Sequence, residues 1–188
     1  MKNKIFVFII LFLFPISINA FEINSKSAIL YDLDSDKVLY EKNSNEITSI
    51  ASLTKIMTSI VSIENISSLN DTVVITNDMI KGLIEQDAMV CGYKVGDTVT
   101  YEELLYSSLL PSCADATNAL AISLTGSISN FVSLMNEKAL ALGLSNTHFV
   151  NTSGLDIQNH YSTAYEVSVI LKYALKNDTF KKIYTTKY

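Results

Sequence analysis

From Ile47 to Ile63 the chain reads "ITSIASLTKIMTSIVSI", and Lys55 is the only charged residue in the run. Leu53, Ile56, Met57 and Ile60 recur at the i, i+3, i+4, i+7 spacing of one helix face. The other side carries Ser52, Lys55, Ser59 and Ser62, with Thr54 and Thr58 beside them. A solvated helix face carries several Glu and Lys with neighbours of opposite charge. Here the polar side offers hydroxyls and one amine. The pattern predicts a helix covered on most sides, with the lysine held near a serine.

Around this helix the chain alternates strand and helix signals. "SAILYDLDSDKVLYEK" predicts strands over Ala28 to Leu33 and Lys37 to Glu41, joined by the turn-forming residues 34–36. Residues 65–100 are mixed, with a strand-like "TVVIT" and a "GYKVGDTVT" segment punctuated by Gly92 and Gly96. Helical patterns follow in "TYEELLYSSLL", which runs to Pro111, then in "ADATNALAISL", then in "ISNFVSLMNEKALALGL" with Gly143 at its C-terminal cap. "NTHFVNTSGLD" is extended and turn-rich. "STAYEVSVILKYALK" predicts a last helix, with Ser162 or Thr163 as N-cap and Glu166 completing a capping box. The 188 residues suffice for one domain or part of a larger one. At 48% hydrophobic and 18% charged, the chain is not disordered. Residues 24–188 read as one α+β unit. A lone hairpin is marginal, so the helices are expected to pack on a larger sheet of which this chain holds only the first strands.

The formal net charge is -5, every basic residue is lysine, and no basic cluster stands out, which gives little support to nucleic-acid binding. Without arginine the chain also lacks the usual bidentate clamp for carboxylate or phosphate. The N-terminus has Lys2 and Lys4, an apolar run from Ile5 to Phe14, and a short segment ending at Ala20. This is the layout of a secretory signal peptide over residues 1–20, with residues 21–188 as the mature part; an uncleaved anchor is the alternative. Removing Lys2 and Lys4 leaves 12 basic against 19 acidic residues, a mature charge of -7. In an exported protein Cys91 and Cys113 are permitted to pair, but a sequence does not give their separation, so pairing stays open. They have neither the number nor the spacing of a structural zinc site, and His148 and His160 carry no HExxH signature. Neither metal nor cofactor is expected.

Ser52 and Lys55 are three apart, so on a helix they lie on adjacent turns of one face. A serine hydroxyl needs a nearby base to become a nucleophile. A lysine serves as that base once burial lowers its pKa towards the working pH. At the start of a helix, exposed backbone N–H groups and the dipole also favour a developing oxyanion. Ser-x-x-Lys alone occurs by chance, and Ser52 alone reads equally as an N-cap.

The longer segments "SAILYDLDSDKVLYEKN", "ITSIASLTKIMT", "VGDTVTYEELLYSSLLPS", "LMNEKALALGLSNTHFVNTSGLD" and "HYSTAYEVSVILKYAL" resemble, in the same order over about residues 27–185, the serine-type D-alanyl-D-alanine carboxypeptidases among the low-molecular-mass penicillin-binding proteins. The resemblance implies a DD-peptidase/β-lactamase-like fold, a helical cluster plus antiparallel sheet with the later strands missing. It implies that Ser52 is the nucleophile, Lys55 the base and Ser112 a proton relay. The substrates it implies are peptidoglycan stem peptides ending in D-Ala-D-Ala, and β-lactams would be covalent inhibitors. Location in the cell envelope follows, with membrane association only through the signal or a C-terminal anchor.

Two departures from the family pattern stand out. The second motif, Ser-x-Asn, falls on "SCA", which gives Ser112 but Ala114 in place of the amide. Ser112 also reads as a helix N-cap after Pro111. The third motif, Lys-Thr-Gly, is absent; the family places it downstream of "HYSTA", beyond Tyr188. A truncated chain and a short paralogue both accommodate this. Two further readings compete. A class A β-lactamase shares the first motif, but "SCA" replaces Ser-Asp-Asn and no Glu-x-x-Leu-Asn segment is visible. A non-catalytic fragment that binds peptidoglycan or a partner would need neither Asn nor Lys-Thr-Gly. His160, Asp115 and Asp156 are expected in structural roles, at a loop, a helix start and a turn.

Overall fold

The computed structural model describes residues 23–187, so the signal-peptide reading of residues 1–20 lies outside the described residues. Strands β1 (Ala28–Asp32) and β2 (Lys37–Lys42) form the expected antiparallel hairpin, in register from Ala28↔Lys42 to Asp32↔Lys37 with an irregularity at Leu30/Tyr31. The Asp32 carboxylate accepts from the Asp34 amide at 3.0 Å, and Asp36 takes a left-handed φ of 58°. Aspartate tolerates that conformation better than most residues, which is why the "DSD" sequence closes the turn. β1 lies on helix α6 (Ala164–Ala174), where Lys172 pairs with Asp36.

Helix α1 (Thr54–Asn65) is the central element: every residue from Thr54 to Ser62 is buried, which agrees with its near-absence of charge. It separates two cores. On one side Ile56, Met57, Ile60 and Val61 pack with Phe131, Met135 and Ala139 of α5 (Ile128–Ala141) and with Ile170 and Ala174 of α6. The other core joins Leu104 and Leu105 of α3 (Tyr101–Leu109) to Ala116, Ala119 and Leu120 of α4 (Ala114–Thr125). The polar face of α1 is buried as well. Thr58 Oγ1 donates to the Thr152 carbonyl at 2.7 Å, and Ser59 and Ser108 hydroxyls meet at 3.2 Å. Buried hydroxyls are tolerable when each finds such a partner. Ser62 Oγ is a buried hydroxyl without one among the described residues.

Between α1 and α3 the mixed segment resolves into a second two-stranded sheet. β3 (Thr72–Val74) pairs antiparallel with β4 (Thr98–Thr100), with the four-residue α2 (Asn77–Ile80) between them. β3 and β4 are too short and too far apart in sequence to announce each other by local pattern. Capping follows the sequence closely elsewhere: Thr100 and Glu103 form a capping box on α3, and Gly143 takes φ 76° just past Leu142. At α6 the expected capping box does not form. Thr163 is the N-cap and accepts from the Glu166 amide at 3.0 Å, but the Glu166 carboxylate turns away to Asn146 and Thr147. There it satisfies a loop amide at 3.0 Å and a threonine hydroxyl, while Thr163 already caps the helix end. Helix α7 (Asp178–Tyr184) closes the described chain. Among the described residues no single helix is long and apolar enough to cross a membrane.

Cys91 and Cys113 form a disulfide that closes 22 residues and ties the segment after α2 to the start of α4. Cross-links over loops of this size stabilise by about 3 kcal/mol through the unfolded chain. Replacing both cysteines by alanine should lower the denaturant midpoint accordingly, and dithiothreitol should lower that of the parent protein alike. A midpoint indifferent to reductant would contradict the pairing.

Candidate active site

Ser52 is not an α-helix N-cap. It sits in the middle of a 3₁₀ turn, Ala51–Leu53, that runs straight into α1, whose N-cap is Leu53. In a 3₁₀ turn residues three apart eclipse, so Ser52 remains directly above Lys55. Ser52 is exposed and Lys55 is only 4% exposed, although the two are neighbours on one face. Lys55 Nζ lies 3.2 Å from Ser52 Oγ and donates to the Ser153 carbonyl at 2.6 Å. None of the salt bridges among the described residues involves Lys55. Burial therefore acts unopposed on its charge and pushes its pKa down from 10.5 to about 8.

The turn that carries Ser52 is held open by a backbone approach with no local sequence signal. Ala51 has φ 44°, a left-handed conformation rare for alanine. Gly154, at φ 85°, lies so close that a Cβ on it would stand 1.8 Å from the Ala51 carbonyl oxygen. Glycine is required there for both reasons. His160 is buried as well. Its Nδ1 accepts from the Val150 amide at 3.1 Å, so Nε2 carries the proton and donates to Thr54 Oγ1 at 2.7 Å. Burial, then the nearby His148, pushes its pKa down, in keeping with this neutral form. It is a structural histidine, one residue from the catalytic candidate Lys55 through Thr54.

Ser112 lines the same cleft as Ser52 and Lys55, a space of about 300 Å³ also bounded by Ser108, Leu109 and Tyr184. It is not a helix N-cap: Cys113 holds that position, and Ser112 precedes it at a left-handed φ of 66°. The start of α4 is fastened from one side. Ala114 N donates to the Met89 carbonyl at 2.7 Å, and the Asp115 carboxylate accepts from the amides of Cys91 and Gly92 at 3.0 Å each and of Tyr93 at 3.3 Å. Asp115 is thus a helix-start residue whose oxygens hold the disulfide segment. The sulfurs of Cys91 and Cys113 lie near its carboxylate, but their bond to each other removes both as thiolate ligands. Ala114 is 2% exposed and its side chain offers no hydrogen bond, and Asn118 is engaged with Thr152 at 2.8 Å rather than facing the cleft. Asp156 accepts from Ser49 Oγ at 3.0 Å, in the turn region expected of it. Gly154 and Tyr184, with Ser153, are among the site neighbours that sequence pattern missed. Only the φ-permissive character of glycine in "TSGLD" hinted at the first.

This geometry joins a buried lysine to an exposed serine at the mouth of a cleft, on the helical cluster of the DD-peptidase fold. The crystal structure of the Streptomyces K15 DD-transpeptidase superposes with a TM-score of 0.84 at 32% identity, covering 88% of this chain and 66% of that one. DacD of Francisella tularensis, a D-alanyl-D-alanine carboxypeptidase, superposes with a TM-score of 0.80 at 29% identity, covering 87% of this chain and 40% of that one. The D-alanyl-D-alanine carboxypeptidase DacF of Bacillus subtilis is 38% identical over 162 residues, 84% of this chain and 41% of that protein. The family model for D-alanyl-D-alanine carboxypeptidases, peptidase family S11, matches residues 15–188, and the chain belongs to that family. It spans less than half the length of DacF.

Gly154→Ala is expected to destabilise the protein by at least about 2 kcal/mol, since both the left-handed backbone and the contact with Ala51 oppose a Cβ. Denaturant unfolding measures it. A loss under about 0.5 kcal/mol, the range of an ordinary surface change, would show that the approach is not as tight as described.

Proposed function

We propose that this chain carries the nucleophile half of an exported serine-type D-alanyl-D-alanine carboxypeptidase that removes the terminal D-alanine from peptidoglycan stem peptides. The 3.2 Å contact between Ser52 Oγ and a buried Lys55 Nζ carries this reading. With the amine neutral, one of its N–H bonds stays on the Ser153 carbonyl and the nitrogen lone pair is free for the Ser52 proton. Ser52 Oγ then attacks the carbonyl carbon between the two D-alanines and forms a tetrahedral adduct. Its collapse breaks the C–N bond, and the proton passes from Lys55 through the Ser112 hydroxyl to the departing amine. Water, deprotonated by the same lysine, attacks the ester carbonyl of the acyl-enzyme, and the proton returns to Ser52 as the ester breaks. A β-lactam ring would acylate Ser52 by the same attack. The signal-like N-terminus supports export, and the Cys91–Cys113 disulfide suits an oxidising compartment.

A fluorescent penicillin should label the protein at Ser52, and Ser52→Ala should abolish labelling. Because the base must be neutral, the labelling rate should fall about tenfold per pH unit below the Lys55 pKa of about 8 and level off above it. Undiminished labelling of Ser52→Ala would reject the assignment, and a flat profile between about pH 6 and pH 9 would reject Lys55 as the base.

A further inference from the structure

We infer that Asn151 is a positioning residue for the base, acting through the single peptide unit that links Ser153 to Gly154. That unit is planar and trans, so its C=O and N–H point in opposite directions. The N–H end, on Gly154, donates to Asn151 Oδ1 at 2.7 Å. The C=O end, on Ser153, accepts from Lys55 Nζ at 2.6 Å. Fixing one end of a rigid plane aims the other. Asn151 also takes the Ser153 amide at 3.1 Å and donates through Nδ2 to the Leu155 carbonyl at 2.8 Å, so its own side chain cannot swing. The Cα at the far end of the plane belongs to Gly154, the residue pressed on the Ala51 carbonyl. One peptide unit therefore touches the amine of the base and borders the turn that carries the nucleophile, and Asn151 grips it from behind. Hydrogen bonds in series also polarise one another, which strengthens the hold of the Ser153 oxygen on the amine. The inference rests on Lys55 serving as the base of Ser52.

Removing the grip lets the plane rotate, so the Ser153 carbonyl leaves the amine and water enters in its place. In Asn151→Ala the rate of penicillin labelling should fall about 100-fold, the scale of a misplacement near 1 Å. The sharper readout needs no turnover. In protein labelled with ¹³C-lysine, the Lys55 Cε resonance, identified by its loss in Lys55→Met, reports the amine's titration directly. Its midpoint near pH 8 should rise by about one pH unit in Asn151→Ala as the amine is hydrated. Asn136→Ala serves as control. Asn136 brackets Phe149 in the same manner, accepting from its N–H and donating to its C=O at 2.9 Å each, whereas the Lys55 amine bonds to Ser52 and Ser153. It should cost stability and leave the midpoint in place. An unchanged or lowered midpoint in folded Asn151→Ala, or an equal rise in Asn136→Ala, overturns the inference. Should Asn151→Ala not fold, Asn151→Ser, which keeps a hydroxyl at shorter reach, is titrated in its place: a raised midpoint supports the inference and an unmoved one overturns it. A parent protein that takes up no penicillin fails the functional reading alone, whereas a midpoint that does not move fails this inference alone.

Discussion

Taking the Lys55 amine out of water is the constraint around which the other elements are arranged. An ammonium without a carboxylate partner is costly in a dry interior, by several kcal/mol even after relaxation. The protein meets that cost in two ways: it lets the amine lose its proton near pH 8, and it supplies one carbonyl oxygen at 2.6 Å. Both require α1 to be enclosed, and enclosure requires a core on each of its sides. The hydroxyls that flank Lys55 fit this demand, because a hydroxyl is satisfied by one carbonyl or one sister hydroxyl, as Thr58 and Ser59 are. A second lysine or a glutamate on that face would have needed a counter-ion and space for it.

The same enclosure explains why so much of α1 was legible in the sequence. A helix whose first nine residues hold one charge among hydroxyls and aliphatics has few places to go except the interior, and Ser-x-x-Lys spacing survives whether its first residue is α or 3₁₀. The N-cap role offered for Ser52 did not survive, since Leu53 holds that position. The hairpin was legible because its alternation and its turn chemistry are local. What stayed hidden is long-range. Nothing near Gly154 tells of Ala51, and nothing near β3 tells of β4, because each depends on a partner far along the chain. Glu166 illustrates the converse: its local pattern was a valid capping signal, overridden by a loop amide and a threonine hydroxyl brought in by the fold.

The second wall of the cleft is built by different means. The resemblance sets Ser-x-Asn against Ser112 and Ala114, so no side-chain amide stands at that position in this chain. The start of α4 is braced by the Cys91–Cys113 bond, by the amides of Cys91, Gly92 and Tyr93 on the Asp115 carboxylate, and by the Met89 carbonyl on Ala114 N. These contacts all fasten the residues beside Ser112 and none of them occupies the cleft.

The distance along the chain between the parts of the site has a consequence in time. Ser52 and Lys55 are neighbours from the moment they are made, yet the carbonyl that holds the lysine comes 98 residues later. Closing so long a loop costs chain entropy that the local Ser52–Lys55 pairing does not. Until the Ser153–Gly154 unit arrives, Lys55 is an ordinary hydrated ammonium and Ser52 an ordinary alcohol. The proposed nucleophile and base are thus adjacent from the start of synthesis, and long-range closure is what gives the lysine its buried setting.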